Sequence, residues 1–142
     1  MSLRLIGQQD LSDACYSLCY SPHVTSQLAA VSCENFGIRG RSHLHIWSNG
    51  ELMSFIWSDA QYDLSFVETD PSLIVTASAD GSILVWHLGS VDRVPIAQSR
   101  EHQREVWCVH WSESRSMDGL LSTSADGTIK LWNFNRSVNE TS

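Results

Sequence analysis

The sequence predicts an all-β fold made of three four-stranded antiparallel units, and three observations predict it. A tryptophan recurs at positions 47, 86 and 132, at spacings of 39 and 46 residues. The residues before the second and third of these tryptophans alternate in the manner of a β-strand, and an Asp-Gly pair precedes each alternation. No segment of about ten residues shows the 3.6-residue period of an amphipathic helix.

The second and third units are related by a shift of 46 residues. Residues 76–86 (TASADGSILVW) align with residues 122–132 (STSADGTIKLW), and six of the eleven positions are identical. Upstream, residues 62–66 align with residues 107–111 once a one-residue gap is allowed. A weaker first unit contains the corresponding strands at 16–20, 28–32 and 43–47. A repeat of roughly 40–45 residues is typical of the blades of a β-propeller.

Each unit is predicted to run through strands A, B, C and D in chain order. The turns between B and C fall at Asp80-Gly81 and Asp126-Gly127, because glycine accepts the positive φ of a tight turn. A longer loop over residues 34–42 replaces this turn in the first unit. The outer strand D is predicted at 52–56 in the first unit and at 93–98 in the second, where Pro95 suits a sheet edge. In the third unit the polar residues 133–142 show no pattern that predicts a strand D. The predicted boundaries are about 11–57 for blade 1, 60–99 for blade 2 and 101–134 for blade 3, with a polar tail at 135–142.

Composition limits the class of function. The chain has 142 residues and a formal net charge of −7, so its surface should repel phosphate backbones and favour a basic peptide or protein; we expect no nucleic acid partner. No apolar run approaches the roughly 18 residues of a membrane span, and the first ten residues lack a secretory signal, so we expect no membrane insertion. The four cysteines form no CxxC pair, which predicts a reduced cytosolic protein with no structural metal and no cofactor.

Four side chains of the third unit resemble the hydrogen-bonded tetrad of the WD40-repeat family. In that family the tetrad comprises a histidine before strand A, a serine or threonine in strand B, the turn aspartate and the strand C tryptophan; here these are His102, Ser122, Asp126 and Trp132. The second unit supplies Thr76, Asp80 and Trp86, but Trp57 stands where the histidine is expected. The resemblance implies that these residues are structural. Because known propellers close with about 4–8 blades, three units predict an incomplete propeller.

A narrower resemblance is to one branch of that family, the receptors for the peroxisomal targeting signal type 2. It is carried by residues 20–22 (YSP), 35–40 (NFGIRG), 56–59 (IWSD) and 101–106 (EHQREV), and it runs from about Ala14 to Phe134. The resemblance covers the N-terminal blades of such a receptor. It implies a non-enzymatic protein that binds type-2 signals for import into the peroxisome matrix, and that is cytoplasmic and shuttles to the matrix.

The implied partners are cargo proteins with an N-terminal helical type-2 signal, a co-receptor, and the docking proteins of peroxisomal import. In such propellers the face where strand A begins is the usual docking surface, so the resemblance points to Asp13, Tyr16, Asp59, Tyr62, Glu105 and Trp107. The acids would pair with a cation of the signal helix and the aromatics would supply rigid contact area. Alternatively, the aromatics pack between blades and the acids form a solvated rim.

Other functions remain open at this stage. A general WD40 scaffold in a cytosolic or nuclear complex would carry the same repeats without binding a signal peptide. His102, Ser122 and Asp126 superficially suggest a hydrolytic triad, but Thr76 and Asp80 recur in a unit without the histidine, which favours structure over chemistry. His43 and His45 share a strand face and are interpreted as surface histidines rather than metal ligands. Cys15 and Cys19 are also predicted on one strand face, as ordinary core thiols.

Overall fold

A computed structural model describes residues 1–38, 40–114 and 117–133, and within them it contains three antiparallel sheets and no α-helix. Sheet 1 contains, in spatial order, β1 (Ala14–Tyr20), β2 (Gln27–Cys33), β3 (Ser42–Ser48) and β4 (Glu51–Trp57). Sheet 2 contains β5 (Gln61–Phe66), β6 (Leu73–Ser78), β7 (Ile83–His87) and β8 (Ala97–Ser99). Sheet 3 contains β9 (Val106–Ser114), β10 (Met117–Ser124) and β11 (Ile129–Asn133). The predicted all-β class is confirmed.

The spatial order of strands in every sheet follows the chain, as in a meander. The inner strands β1, β5 and β9 are neighbours, with β5 between the other two. The predicted polar tail at 135–142, and any fourth strand of the third unit beyond Asn133, lie outside the described residues. None of the described residues forms a helix long and apolar enough to cross a membrane.

The two Asp-Gly hairpins are built in the same way. Gly81 and Gly127 have φ values of 88° and 85°, the left-handed region that favours glycine. The preceding aspartate accepts a hydrogen bond from the backbone two residues on, at 2.9 Å from Asp80 Oδ1 to the Ser82 amide and at 2.9 Å from Asp126 Oδ1 to the Thr128 amide. These turns fix the register of β6 with β7 and of β10 with β11.

Apolar side chains on facing sides of the sheets form two cores. The first lies between sheets 1 and 2 and includes Val31, Leu44, Ile46, Phe55, Leu64, Phe66 and Trp86. The second lies between sheets 2 and 3 and includes Val75, Ile83, Val85, Val109, Trp111 and Leu120. Full burial of such a side chain contributes about 1.5–3 kcal/mol, so packing between successive sheets holds the described chain together.

Two details of the sequence prediction were wrong. Strand D of the second unit was predicted at residues 93–98, whereas β8 begins at Ala97, because Arg93 has a φ of 52° and Pro95 has no N–H to donate to a neighbouring strand. Cys15 and Cys19 were predicted on one face of β1, yet a bulge between them reverses the alternation. Cys15 pairs with Ser32 and Cys19 with Ala29, so the two thiols lie on opposite faces.

Candidate functional site

The inner strand of every sheet contains a β-bulge near its first residues. The paired register skips one residue between Cys15 and Ser17 in β1, and one between Gln61 and Asp63 in β5. A third shift falls opposite Thr123 and Ser124, where β9 goes from Cys108 to Val106. The residues left unpaired are Tyr16, Tyr62 and Trp107. A bulge changes the direction of the side chain of its extra residue. Each inner strand therefore presents one aromatic side chain at the equivalent position near its start.

The three bulge residues form a continuous aromatic row across the sheets. The ring centroids of Tyr16 and Tyr62 are 5.4 Å apart, and those of Tyr62 and Trp107 are 4.8 Å apart. These separations lie within the range of favourable aromatic contacts. Tyr16 is 40% exposed and Trp107 is 49% exposed, with Tyr62 half-buried between them. The row, defined as Tyr16, Tyr62 and Trp107, is therefore both a contact between blades and an accessible surface.

A short loop of sheet 1 is hydrogen-bonded to this row. It contains a 3-10 turn, Glu34–Gly37, in which Asn35, Phe36 and Gly37 all have positive φ. The Tyr16 hydroxyl donates to the Phe36 carbonyl, and the Tyr62 hydroxyl donates to the Gly37 carbonyl at 2.9 Å. A Cβ added at Gly37 would lie 2.5 Å from the Tyr16 hydroxyl oxygen and would displace that side chain, and the φ of 76° also favours glycine. Burial raises the pKa of Tyr62, which keeps its hydroxyl protonated as the donor.

The same loop presents two exposed apolar side chains beside the row. Phe36 and Ile38 are both largely exposed, on either side of the glycine that the tyrosines contact. Nothing in the alternation of the sequence marks them as functional, because they lie in a loop outside the repeated strands. The segment at residues 35–40 (NFGIRG), one of those that carry the narrower resemblance, was the available signal. The fold thus adds apolar surface that was absent from the predicted site.

The predicted acids lie just before the bulge residues along the chain. Asp13 and Asp59 each precede a bulge residue by three positions, whereas Glu105 precedes Trp107 by two. The Glu105 carbonyl accepts from the Ala125 amide, as the Ala60 carbonyl accepts from the Ala79 amide, so Glu105 is the structural counterpart of Ala60 rather than of Asp59. All three acids are half-buried. Glu105 Oε2 lies 3.4 Å from Arg104 Nε, which offsets part of its charge.

A further acid, Asp63, joins the three inner strands just beneath the aromatic row. Its carboxylate accepts from the Ser17 hydroxyl of β1 at 2.6 Å and from the Val109 amide of β9 at 2.9 Å. Partial burial, and then the Asp63 carboxylate, raise the pKa of the Cys108 thiol to about 11. Asp63 was missed at the sequence level, since a single aspartate within a strand carries no signal of its partners. The raised pKa makes Cys108 a poor nucleophile.

The tetrad residues of the third unit form one directed chain of hydrogen bonds. The Trp132 indole N–H donates to the Ser122 hydroxyl oxygen at 2.8 Å, and Ser122 Oγ lies 2.7 Å from His102 Nε2. His102 Nδ1 lies 3.0 Å from Asp126 Oδ2. Because an ionised carboxylate only accepts, Nδ1 is the donor to Asp126, and in a neutral imidazole Nε2 then accepts from Ser122. Ser122 is only 1% exposed, and its hydroxyl is already engaged by Trp132 and His102, which favours a structural role.

The second unit shows how the motif is built without a histidine. The Trp86 indole donates to Thr76 Oγ1 at 2.9 Å, and the Trp57 ring packs edge-on against Trp86 with centroids 5.9 Å apart. In the third unit His102 packs against Trp132 at 6.2 Å. Trp57 therefore fills the place of the histidine, and Asp80 instead accepts from the Arg100 guanidinium at 2.7 Å.

The two histidines of β3 stack on the outer face of sheet 1. The ring centroids of His43 and His45 are 5.8 Å apart, and His45 stacks in turn on Trp47 at 5.7 Å. Burial, followed by the neighbouring His43, lowers the pKa of His45. Among the described residues, no group of three or more His, Cys, Asp or Glu side chains is arranged to hold a metal ion.

Comparison with known proteins identifies the repeat and its relatives. The family model for the WD domain, G-beta repeat, matches residues 56–87 and 93–133. The chain is 31% and 32% identical to the peroxisomal targeting signal 2 receptors of Mus musculus and Homo sapiens, over 82% of its own length and 38% of theirs. It is 33% identical to peroxisome biogenesis protein 7 of Arabidopsis thaliana, over 85% of its length and 40% of that protein.

The chain thus spans about two fifths of the length of the curated relatives that it matches. The matched repeat segments cover the strands of sheets 2 and 3, and only Ile56 and Trp57 at the end of β4 in sheet 1. The chain belongs to the WD40-repeat family, and it is similar to receptors of the peroxisomal targeting signal 2.

Proposed function

We propose that this protein binds the type-2 peroxisomal targeting signal of cargo proteins, as a non-enzymatic receptor for import into the peroxisome matrix. The observation that carries the proposal is the aromatic row, beside which the Glu34–Gly37 loop presents the exposed Phe36 and Ile38. The names of the similar receptors supply the class of ligand. We propose further that the receptor is cytoplasmic, works with a co-receptor and docking proteins, and shuttles to the matrix.

The dimensions of the row suit a helix laid across it. Side chains at positions i and i+3 or i+4 of an α-helix lie about 5–6 Å apart on one face. The ring-to-ring steps in the row are 5.4 Å and 4.8 Å. Successive turns of an amphipathic helix would therefore meet successive rings, the helix-in-groove mode of peptide recognition.

Charge favours a basic helix. The formal net charge of the chain is −7, and Asp13 and Asp59 lie where the inner strands begin. A half-buried carboxylate paired with an arginine forms a charge-assisted bond stronger than a neutral one. An exposed ring such as Trp107 also attracts a guanidinium placed over its face. We expect a basic side chain of the signal helix, an arginine or a lysine, to contact this side of the row.

The proposal is tested by fluorescence anisotropy with a labelled peptide helix that carries a type-2 signal. We expect saturable binding that weakens with added salt, and weaker binding of a peptide whose arginine is replaced by alanine. Equal binding of the two peptides would refute the electrostatic part of the proposal. No saturable binding of either peptide would refute the function itself.

Substitution of the row gives an independent test. Trp107→Ala should weaken peptide binding about tenfold, because truncation of an aromatic anchor costs more than about 1 kcal/mol at most such interfaces. Val94→Ala is the matched control, since Val94 is a comparably exposed apolar residue in the connection between β7 and β8. Far-UV circular dichroism checks that both variants keep the wild-type fold. Equal peptide affinity of Trp107→Ala and Val94→Ala would argue against the row as the docking surface.

A further inference from the structure

Phe36 has a backbone conformation that its side chain disfavours. It lies in the Glu34–Gly37 turn with a φ of 55°, and it is 80% exposed. A positive φ is unusual for a bulky residue, whereas asparagine and glycine adopt it more readily. Because the ring is exposed, it gains little from burial in return. For folding alone, asparagine would therefore suit this position better than phenylalanine.

Hydroxyl groups from two sheets hold the turn in this conformation. The Tyr16 hydroxyl of β1 donates to the Phe36 carbonyl, and the Tyr62 hydroxyl of β5 donates to the Gly37 carbonyl at 2.9 Å. A disfavoured backbone conformation persists only where its surroundings fix it, and such positions are concentrated at functional sites. The turn is thus held by two of the three rings that form the aromatic row.

Two charged residues at the base of the loop are paired, and two apolar residues further along it are exposed. The Glu34 amide donates to the Arg41 carbonyl at 3.0 Å, and Glu34 Oε1 accepts from Arg41 Nε at 3.1 Å. Phe36 and Ile38, which flank Gly37, are 80% and 83% exposed. The loop therefore offers a partner two bulky apolar side chains on a backbone that is already fixed.

We propose that the loop carrying Phe36 and Ile38 selects for a bulky apolar side chain on the signal helix, beside the side chains that meet the aromatic row. This inference rests on the proposed function, because it concerns how the same peptide is recognised. It assigns the loop a role in specificity that is separate from the pairing of the basic side chain.

A helix that lies on the row also reaches the loop. An α-helix with its side chains is about 10–12 Å wide. The backbone of the turn is within hydrogen-bond distance of the Tyr16 and Tyr62 hydroxyls, so the flank of such a helix meets Phe36 and Ile38. The row and the loop therefore form one surface, which a single amphipathic helix can cover.

The contact with the loop differs in kind from the contact with the acids. Attraction between exposed opposite charges weakens with added salt, whereas apolar burial depends on the area removed from water. Leucine buries more apolar area against Phe36 than alanine does. The loop thus adds a preference for a large apolar side chain that carboxylates cannot supply.

The first test replaces Phe36 with asparagine, which tolerates the positive φ. We expect Phe36→Asn to keep or raise the urea midpoint of unfolding, and to weaken binding of a labelled type-2 signal peptide with leucines on its apolar face about tenfold. Val91→Asn, at an exposed residue of the β7–β8 connection, is the control and should leave the affinity unchanged. A lower midpoint with unchanged affinity would make Phe36 a structural residue and would overturn the inference.

The second test combines this variant with changed peptides, in which each leucine in turn is replaced by alanine. We expect one of these peptides to bind the wild-type protein about tenfold more weakly than the parent peptide does. On Phe36→Asn the same change should cost less than about twofold, because the contact is already missing. Replacement of the peptide arginine by alanine should cost the same factor on both proteins.

The outcomes separate this inference from the proposed function. If the parent peptide binds the wild type and Phe36→Asn with equal affinity, the inference is wrong and the function stands. If every alanine peptide loses the same factor on both proteins, the inference is also wrong, since Phe36 then contacts none of the leucines. Absence of saturable binding of the parent peptide to the wild type would refute the function, and the inference with it.

Discussion

The Trp86 indole donates to Thr76, whereas the Trp57 indole packed against it has a buried N–H with no hydrogen-bond partner among the residues that the structure describes. A buried donor without a partner costs about 1–3 kcal/mol. The Trp57 N–H therefore lowers the free energy of unfolding, and a ring without an N–H would remove that cost. The resemblance to the WD40 tetrad was enough to predict the Thr76–Trp86 bond, because both residues stand at the matching positions of the second unit. It was not enough to predict what a tryptophan does in place of a histidine, which depends on packing.

We expect Trp57→Phe to change the free energy of unfolding by less than about 1 kcal/mol, because relief of the buried N–H offsets the lost ring volume. Trp86→Phe makes the same change of ring but breaks a satisfied hydrogen bond, and should destabilise by about 2 kcal/mol or more. Urea unfolding followed by far-UV circular dichroism measures both. A larger loss in Trp57→Phe than in Trp86→Phe would show that the Trp57 indole has a partner after all.

Asp126 makes stability depend on pH. The Thr128 hydroxyl, then the Gln103 amide and the His102 imidazole, hold the pKa of Asp126 well below its usual range. In the unfolded chain the carboxylate has a pKa of about 3.9, so it becomes protonated at a higher pH than the carboxylate of the folded protein. The contribution of Asp126 is therefore fully present above about pH 4 and is lost as the pH falls toward the folded-state pKa.

We expect Asp126→Asn to flatten the fall in unfolding free energy between about pH 5 and pH 2.5. The slope should not vanish, because the Ser82 hydroxyl and amide also lower the pKa of Asp80. Asp92→Asn, at an exposed carboxylate in the β7–β8 connection, is the control and should keep the wild-type slope. Equal slopes in Asp126→Asn and the wild type would rule out Asp126 as a source of the acid sensitivity.

At the scale of elements, hairpins were predictable and bulges were not. The Asp80-Gly81 and Asp126-Gly127 turns follow from local chemistry, so a few residues of sequence specify them. A bulge leaves one residue unpaired, and its position depends on the partner strand. The row formed by Tyr16, Tyr62 and Trp107 was therefore proposed from the resemblance alone, and the contact of its rings with the Glu34–Gly37 turn was not foreseen.

The two glycine turns should respond differently to the same substitution. Both have positive φ, so alanine is strained by roughly 1–2 kcal/mol at either position. A Cβ at Gly127 meets nothing within 4 Å, whereas one at Gly81 would lie 2.6 Å from the His102 carbonyl oxygen. Gly81→Ala should therefore lower the free energy of unfolding more than Gly127→Ala, as measured by urea denaturation. An equal loss would mean that the His102 backbone moves away at little cost.

At the scale of the whole molecule, the three sheets are joined by their facing cores and by Asp63. The cores were predictable in outline, because blade faces follow from the repeat. The role of Asp63 was not, since its partners Ser17 and Val109 are each 46 residues away in sequence and meet it only when the inner strands lie together. A residue of this kind stabilises the arrangement of the blades rather than any single blade.

Asp63→Ala should therefore weaken the coupling between sheets. It leaves the Val109 amide without its acceptor in a half-buried position, at a cost of about 1–3 kcal/mol, and removes the bond from Ser17. Because each sheet keeps its own hairpins, we expect the tryptophan fluorescence and far-UV circular dichroism transitions in urea, coincident in the wild type, to separate.

Asp63→Asn keeps one carbonyl acceptor, so the separation of its two transitions should lie between that of the wild type and that of Asp63→Ala. Ser65→Ala is the control for local damage to β5, since Ser65 accepts a single weaker bond from the Trp111 amide, at 3.3 Å. If Asp63→Ala lowers stability while the two transitions stay coincident, the facing cores alone couple the sheets, and Asp63 contributes only as one more hydrogen-bonded side chain.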